Sequence, residues 1–206
     1  MPSILVGILT AYLIGSIPIS FIFAKLMKGV DIRDYGSGNV GATNLLRIAG
    51  KLPAILALVL DMVKGVIAVT LVAFIFFNPE SRLNFELYRL ILGLTAICGH
   101  IRPVFLKFKG GKGVATSAGV LLIVAPKVLG VGLLVWLLIV AIFRYVSLGS
   151  IMAAVSLPVS AAIFGGPIEL VAFCVTICFI ASYMHKSNIT RLLRNEEPKI
   201  GQVLKS

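Results

Sequence analysis

The sequence predicts an all-α polytopic membrane protein. Three observations do so: 59% of its 206 residues are hydrophobic, only 13% are charged, and the mean hydropathy is +1.05. A soluble domain carries about twice that share of charge. The formal charge of +11 does not indicate nucleic acid, because the basic residues stand between long apolar runs rather than along one soluble face. Anionic headgroups and anionic substrates are the expected partners. Cys98, Cys174 and Cys178 lie in apolar segments, the last pair has no nearby His or acidic residue to complete a metal site, and packing is their expected role.

The first element is the uncharged run from 3 to 24, long enough for a helix to cross about 30 Å of hydrocarbon. Lys25, Lys28 and Arg33 follow it and no basic residue precedes it. This places the N-terminus outside and argues against a cleaved signal peptide. An apolar segment from about 52 to 77 comes next, then the polar turn "NPESRLNF", a segment from about 86 to 105, and the basic loop "KFKGGKG". The stretch 113–143 is too long for one crossing and is interrupted by Ala125, Pro126 and Lys127, so it reads as a short helix and a longer one. After Arg144 and Tyr145, another apolar stretch is broken by Gly165, Gly166 and Pro167, and a polar tail begins near His185.

Seven transmembrane helices result, with the Gly-rich loops and the C-terminus cytoplasmic. All of the 19 Lys and Arg residues except Lys64, Arg82, Arg89 and Lys127 then lie on that side, as the positive-inside rule requires. Five crossings plus a re-entrant hairpin would keep the same sidedness, and the short segment 113–126 is where the two readings part. Residues 1–206 form a single integral-membrane domain in either case.

Three segments concentrate the polar residues, and each borders an apolar helix. The first, "DIRDYGSGNVGATNLLR" at 31–47, contains Gly36, Gly38 and Gly41 in the G-x-G-x-x-G spacing. A dinucleotide fold is rejected: no strand leads in, and Asp61 falls inside an apolar helix rather than at a ribose. The local physics remains, because glycines let backbone N–H groups turn toward an anion and the following helix adds positive potential. Ser37, Asn39, Thr43 and Asn44 supply short polar side chains, and Arg47, three residues after Asn44, can grip two phosphate oxygens or extend to lipid headgroups.

The second segment, "GHIRPVFLKFKGGKGVAT" at 99–116, sets Lys109 and Lys112 among Gly110, Gly111 and Gly113 before an apolar helix. This makes an anion site without the full P-loop spacing, so an ATPase is not expected. Positive-inside charge alone would account for Lys107 and Lys109. The third, "HKSNITRLL" at 185–193, places His185 and Asn188 one helical turn apart, suited to bind a hydroxyl or phosphate or to move a proton. His100 and His185 both have ordinary structural uses as lone interfacial histidines. Asp61 and Lys64, spaced i, i+3 within an apolar segment, are expected to pair and to support the loops.

Taken together, the three segments closely resemble the PlsY family of acyl-phosphate:glycerol-3-phosphate acyltransferases. "GSGNVGATNLLR" looks like the family's first motif, "GHIRPVFLKFKGGKGVAT" its second, and "HKSNITRLL" with Glu196 or Glu197 its third, with Glu197 taken as the structural acid. The resemblance implies a monomeric enzyme of the bacterial cytoplasmic membrane that needs no cofactor or metal. It would move a fatty acyl group from acyl phosphate to the 1-hydroxyl of glycerol 3-phosphate, giving lysophosphatidic acid for phospholipid synthesis.

The residues suit that chemistry. The fifth residue after His100 is Phe105 and after His185 is Thr190, so the H-x-x-x-x-D dyad of soluble-type acyltransferases is absent, and no Ser or Cys sits in a nucleophile elbow. Direct transfer without an acyl-enzyme is the expectation. Ser37, Asn39, Thr43 and Asn44 would hold acyl phosphate, Arg47 and Lys112 neutralise phosphate, and His185 with Asn188 orient glycerol 3-phosphate. The alternative is a small transporter of phosphorylated metabolites, which would place its site near the midplane, at Asp61 and Lys64.

Overall fold

A computed structural model describes residues 2–81, 83–200 and 202. Every regular element among them is helical. Five helical spans are long and apolar enough to cross a bilayer: Ser3–Lys28, Lys51–Phe76, Phe85–Leu106, Pro126–Phe143 and Val146–Ile163. A sixth is reached if Ile168–Met184 and Lys186–Leu193, bent by 59°, count as one; Val114–Val124 is a shorter apolar helix. The outward surfaces carry Leu56, Leu60, Phe74, Leu134, Leu137 and Phe179, while Ala, Gly, Ser and Thr fill much of the interior. That distribution suits hydrocarbon, where helices associate through small residues rather than by hiding large ones.

The chain forms two compact units, residues up to Val124 and residues from Ala125 onward. In the first unit, the predicted run 3–24 is not one helix: α1 (Pro2–Ser16) and α2 (Ile19–Lys28) are separated at Ile17 and Pro18. Proline has no N–H and its ring clashes with the preceding turn, so the helix breaks there and leaves the Ile17 carbonyl open to another donor. Lys64 Nζ donates to it at 3.1 Å, alongside the Ile19 N–H at 3.1 Å. Next comes α3 (Ala42–Ala49), entered from the glycine loop, and then α4 (Lys51–Ile67). A π-helical turn at Ala68–Val72 leads into α5 (Ala73–Phe76). Widening the helix changes the hydrogen-bond pattern there, and Arg89 Nε donates to the Val69 carbonyl at 3.0 Å.

Asn84 caps α6 (Phe85–Ile101), accepting the Leu87 N–H at 2.7 Å. The last helix of this unit is α7 (Val114–Val124). α1 packs on α6, and α4 on α7. The latter pair approaches closely because Gly65 faces the Thr116 carbonyl and Gly119 faces the Met62 carbonyl, where a Cβ would collide with backbone.

The second unit contains α8 (Pro126–Phe143), α9 (Val146–Ile163), α10 (Ile168–Met184) and α11 (Lys186–Leu193). Pro126 occupies the first helical position of α8, where its missing N–H costs nothing. α9 packs against both α8 and α10. The bend between α10 and α11 falls at His185.

Candidate active site

The first polar segment folds around one side chain. Asn44, 1% exposed, donates its amide to the carbonyls of Ile32 (3.1 Å), Tyr35 (3.0 Å) and Asn39 (3.1 Å), and its Oδ1 accepts the Ser37 N–H at 3.0 Å. Gly36 has a left-handed φ of 61° and lies so close to Asn44 Oδ1 that a Cβ could not fit, so both its conformation and its space require glycine. Asn44 was expected to present its amide to phosphate; instead it braces the loop from within. Ser37 and Thr43 are exposed, Asn39 and Gly41 half-buried, and Arg47 half-buried one turn farther along α3.

Upstream, Asp31 binds the backbone N–H and the guanidinium of Arg33. These contacts, the side-chain hydrogen bond foremost, lower the Asp31 carboxyl to about 2.

The second polar segment contains a 3₁₀ turn at Val104–Leu106. Lys107 and Phe108 both take left-handed backbone, and the chain returns so that Gly110 N–H donates to Ile101 O (3.2 Å) and Gly111 N–H to His100 O (3.1 Å). Lys109 is exposed and Lys112 half-buried, with Gly113 immediately before α7. The two glycine segments meet: a Cβ on Gly111 would come within 2.7 Å of the Val40 carbonyl. Beneath them, Lys64 Nζ lies 2.8 Å from Asp61 Oδ1, and His100 Nδ1 lies 3.4 Å from the same oxygen. The predicted Asp61–Lys64 pair is therefore present, and His100 joins it.

In the second unit, His185 is buried at the bend, its Nδ1 2.7 Å from the Ala181 carbonyl. A carbonyl only accepts, so Nδ1 carries a proton, and in the neutral ring Nε2 is then the acceptor nitrogen. Asn188 Nδ2 donates to Glu197 Oε1 at 2.7 Å, Ser147 Oγ donates to the same oxygen at 2.6 Å, and Arg191 Nε donates to Oε2 at 2.8 Å. Glu197 is 7% exposed and Glu196 is exposed, so of the two glutamates it is Glu197 that these donors engage. Burial pushes its carboxyl upward, but the three donors outweigh burial and hold it below the usual glutamate value.

Sequence reasoning missed Ser147, Arg191 and the coupling of His100 to Asp61. No local pattern marks Ser147, which lies beyond an intervening pair of helices from its carboxylate partner. Arg191 was visible only as part of the third motif.

The family model described as glycerol-3-phosphate acyltransferase matches residues 5–195. A glycerol-3-phosphate acyltransferase of Desulforamulus reducens is 46% identical over 195 residues, 95% of this chain and 94% of that protein. One from Staphylococcus aureus strain Newman is 44% identical over 199 residues, 96% and 98% of the two chains. Among solved structures, PlsY, an integral membrane glycerol 3-phosphate acyltransferase, superposes in its glycerol 3-phosphate form with a TM-score of 0.87 at 43% identity, covering 97% of this chain and 96% of that one. Its lysophosphatidic acid form gives 0.84 at 42% identity, with the same coverage.

Proposed function

The chain belongs to the PlsY family of integral membrane glycerol-3-phosphate acyltransferases, and we propose that it transfers a fatty acyl group from acyl phosphate to the 1-hydroxyl of glycerol 3-phosphate. The observation that carries this reading is the meeting of the two glycine segments at Val40 and Gly111, which gathers two anion-binding loops into one cluster. Backbone N–H groups of the Gly36–Asn44 loop, with the Ser37, Asn39 and Thr43 side chains, hold the donor's phosphate. Arg47, Lys109 and Lys112 neutralise its charge. Asn44 acts by holding the loop in shape. His185 and Asn188 orient glycerol 3-phosphate, with Glu197 fixing the amide of Asn188.

Transfer is direct. The acceptor oxygen forms a bond to the acyl carbon, the bond from that carbon to the phosphate oxygen breaks, and inorganic phosphate departs. Phosphate is already a good leaving group, so the protein's share is positioning and charge stabilisation, with no acyl-enzyme. Two groups suit the hydroxyl proton, His185 Nε2 and a substrate phosphate oxygen. The product, lysophosphatidic acid, supplies phospholipid synthesis in a bacterial cytoplasmic membrane. The enzyme is monomeric.

The transport alternative would use Asp61 and Lys64. They are paired beside a cavity of about 10 Å³, which is space for one water rather than for a phosphorylated metabolite.

Seven crossings suit the basic-residue asymmetry, with α7 and α10 added to the five long spans. α7 then spans only about 16 Å, half the hydrocarbon thickness, and its glycine-mediated packing on α4 supports so short a crossing. Labelling of single cysteines at Ser37 and Lys109 from the cytoplasmic side, and at Ser81 from outside, tests this arrangement; labelling of Ser37 and Lys109 from opposite faces would end it. The activity is tested by incubating purified protein with palmitoyl phosphate and glycerol 3-phosphate. Lysophosphatidic acid should form, and a protein that makes none overturns the reading.

A further inference from the structure

The buried cluster beneath the glycine loops pairs a carboxylate with an ammonium and sets a histidine against the same carboxylate oxygen. Asp61 is 2% exposed, Lys64 5% and His100 9%. Lys64 Nζ is shared between Asp61 Oδ1 (2.8 Å) and the Ile17 carbonyl released at the α1–α2 break (3.1 Å). A buried ion pair of this kind is commonly no more stabilising than well-packed apolar residues of the same volume, because desolvation offsets the attraction. What it supplies is a fixed location for α4 against the α1–α2 break, through Lys64, and against His100 of α6, through Asp61.

His100 is where that location is transmitted. Its Nδ1 faces Asp61 Oδ1 at 3.4 Å, and its Nε2 edge is pressed against Gly111 so closely that a Cβ there could not fit. Its own carbonyl receives the Gly111 N–H at 3.1 Å. Ring and backbone of one residue thus fix the glycine that precedes Lys112 and abuts Val40 of the other loop. The adjoining cavity is bordered by Ser16, Asp61, Lys64, His100, Gly110 and Gly111, and the buried Ser16 Oγ has no hydrogen-bond partner among the described residues. The cluster therefore lies directly under the loop backbone and not in a separate part of the core.

We propose that His100 is a positioning residue for the phosphate-binding loop, held in place by Asp61, which Lys64 in turn holds. This rests on the reading above that the Lys112 loop binds phosphate. Asp61, Lys64 and His100 touch no substrate; they set the backbone from which Lys112 is presented, the N–H groups of Gly110 and Gly111 being committed to the Ile101 and His100 carbonyls.

The test uses inorganic phosphate as a competitive inhibitor of the purified full-length protein. His100→Gln and Asp61→Asn should each raise the inhibition constant for phosphate, and the KM for acyl phosphate, roughly tenfold, the scale of one charged hydrogen bond. In a Lys112→Ala background the same changes should add little, since they act through that loop. If the single variants fail to fold, the charge-neutral pair Asp61→Asn with Lys64→Met leaves no unpaired buried charge and should show the same rise. A merely structural cluster would lower thermal stability and leave the inhibition constant and KM at parental values; that result, or effects that multiply fully with Lys112→Ala, overturns the proposal. Parent protein that makes no lysophosphatidic acid would instead count against the underlying functional reading.

Discussion

Asn188 and Glu197 are joined by a 2.7 Å hydrogen bond between Nδ2 and Oε1, which commits part of the Asn188 amide to the protein itself. The carboxylate also receives Ser147 and Arg191, so a residue near the start of α9 and two on α11 converge on the tail. Replacing Glu197 disturbs all three donors at once.

Glu197→Gln keeps the shape but removes the charge that Arg191 pairs with, and it turns an NH₂ group toward at least one donor. We expect kcat/KM for acyl transfer to fall roughly tenfold or more, the scale of a lost charged hydrogen bond in a buried setting. Glu196→Gln, at an exposed position, should stay within about twofold of the parent. Steady-state kinetics of the two variants side by side decide it, and equal losses would remove Glu197 from its special position.

The same carboxylate predicts an acid-sensitive stability. Burial raises its pKa, but hydrogen bonds from Ser147, Asn188 and Arg191 bring it below the ordinary glutamate value. In the interval between the two values the unfolded chain binds the extra proton and the folded chain does not, so stability rises with pH there. The contribution is complete above about pH 4.3, the unfolded glutamate value, and is lost as pH falls through the lower folded value. Thermal unfolding in detergent at a series of pH values should show parent and Glu197→Gln differing most above that value and converging in acid. Parallel curves would mean that ionisation of Glu197 contributes nothing.

Asn44 offers a contrast between a ligand and a brace. Asn44→Ala strips partners from three loop carbonyls and the Ser37 N–H, at about 1–3 kcal/mol for each group left buried and unsatisfied. Asn44→Asp should do no better, because a carboxylate cannot donate to carbonyls. Both variants should lose most activity, and the Ser37 amide should exchange with solvent much faster in Asn44→Ala without any substrate present. Unchanged exchange together with lost activity would return Asn44 to direct phosphate binding.

The helical membrane class and most breaks were legible because hydropathy and proline report backbone needs locally: Pro126 begins α8, and the polar turn after Phe77 separates α5 from α6. The interruption at Ile17 and Pro18 was hidden inside an uncharged run, since hydropathy averages over a proline that the bilayer tolerates once Lys64 takes the freed carbonyl. Asp61 and Lys64 were recognised as a pair because three residues on a helix bring side chains together. His100 on Asp61, and Ser147 on Glu197, were not, because contacts between distant helices leave no period in the sequence. The inward turn of Asn44 was likewise invisible: its residue type suits both a phosphate and a set of loop carbonyls, and only the path of residues 31–44 decides between them.

Donor identity is the sharpest prediction about the chemistry. A thioester donor releases a thiol, and enzymes that use one with an alcohol generally employ a positioned base and provide room for an adenine nucleotide. Neither histidine here has an acidic residue at the fifth position: Phe105 follows His100 and Thr190 follows His185. His185 Nδ1 is paired with the Ala181 carbonyl, whereas in a His–Asp dyad that nitrogen donates to a carboxylate. Acyl phosphate asks for less, namely a compact anion site at headgroup level and apolar helices beside it for the chain. Purified protein should therefore turn over palmitoyl phosphate with glycerol 3-phosphate and give at most about one-hundredth of that rate with palmitoyl-CoA, a gap of about 2.7 kcal/mol in barrier. Inorganic phosphate should inhibit competitively against the acyl phosphate, because it is the leaving group returning to its own site. Comparable rates from the two donors would overturn both the donor assignment and direct transfer to a phosphate leaving group, while a slow rate with palmitoyl-CoA that phosphate does not inhibit would place that donor outside the glycine-loop site.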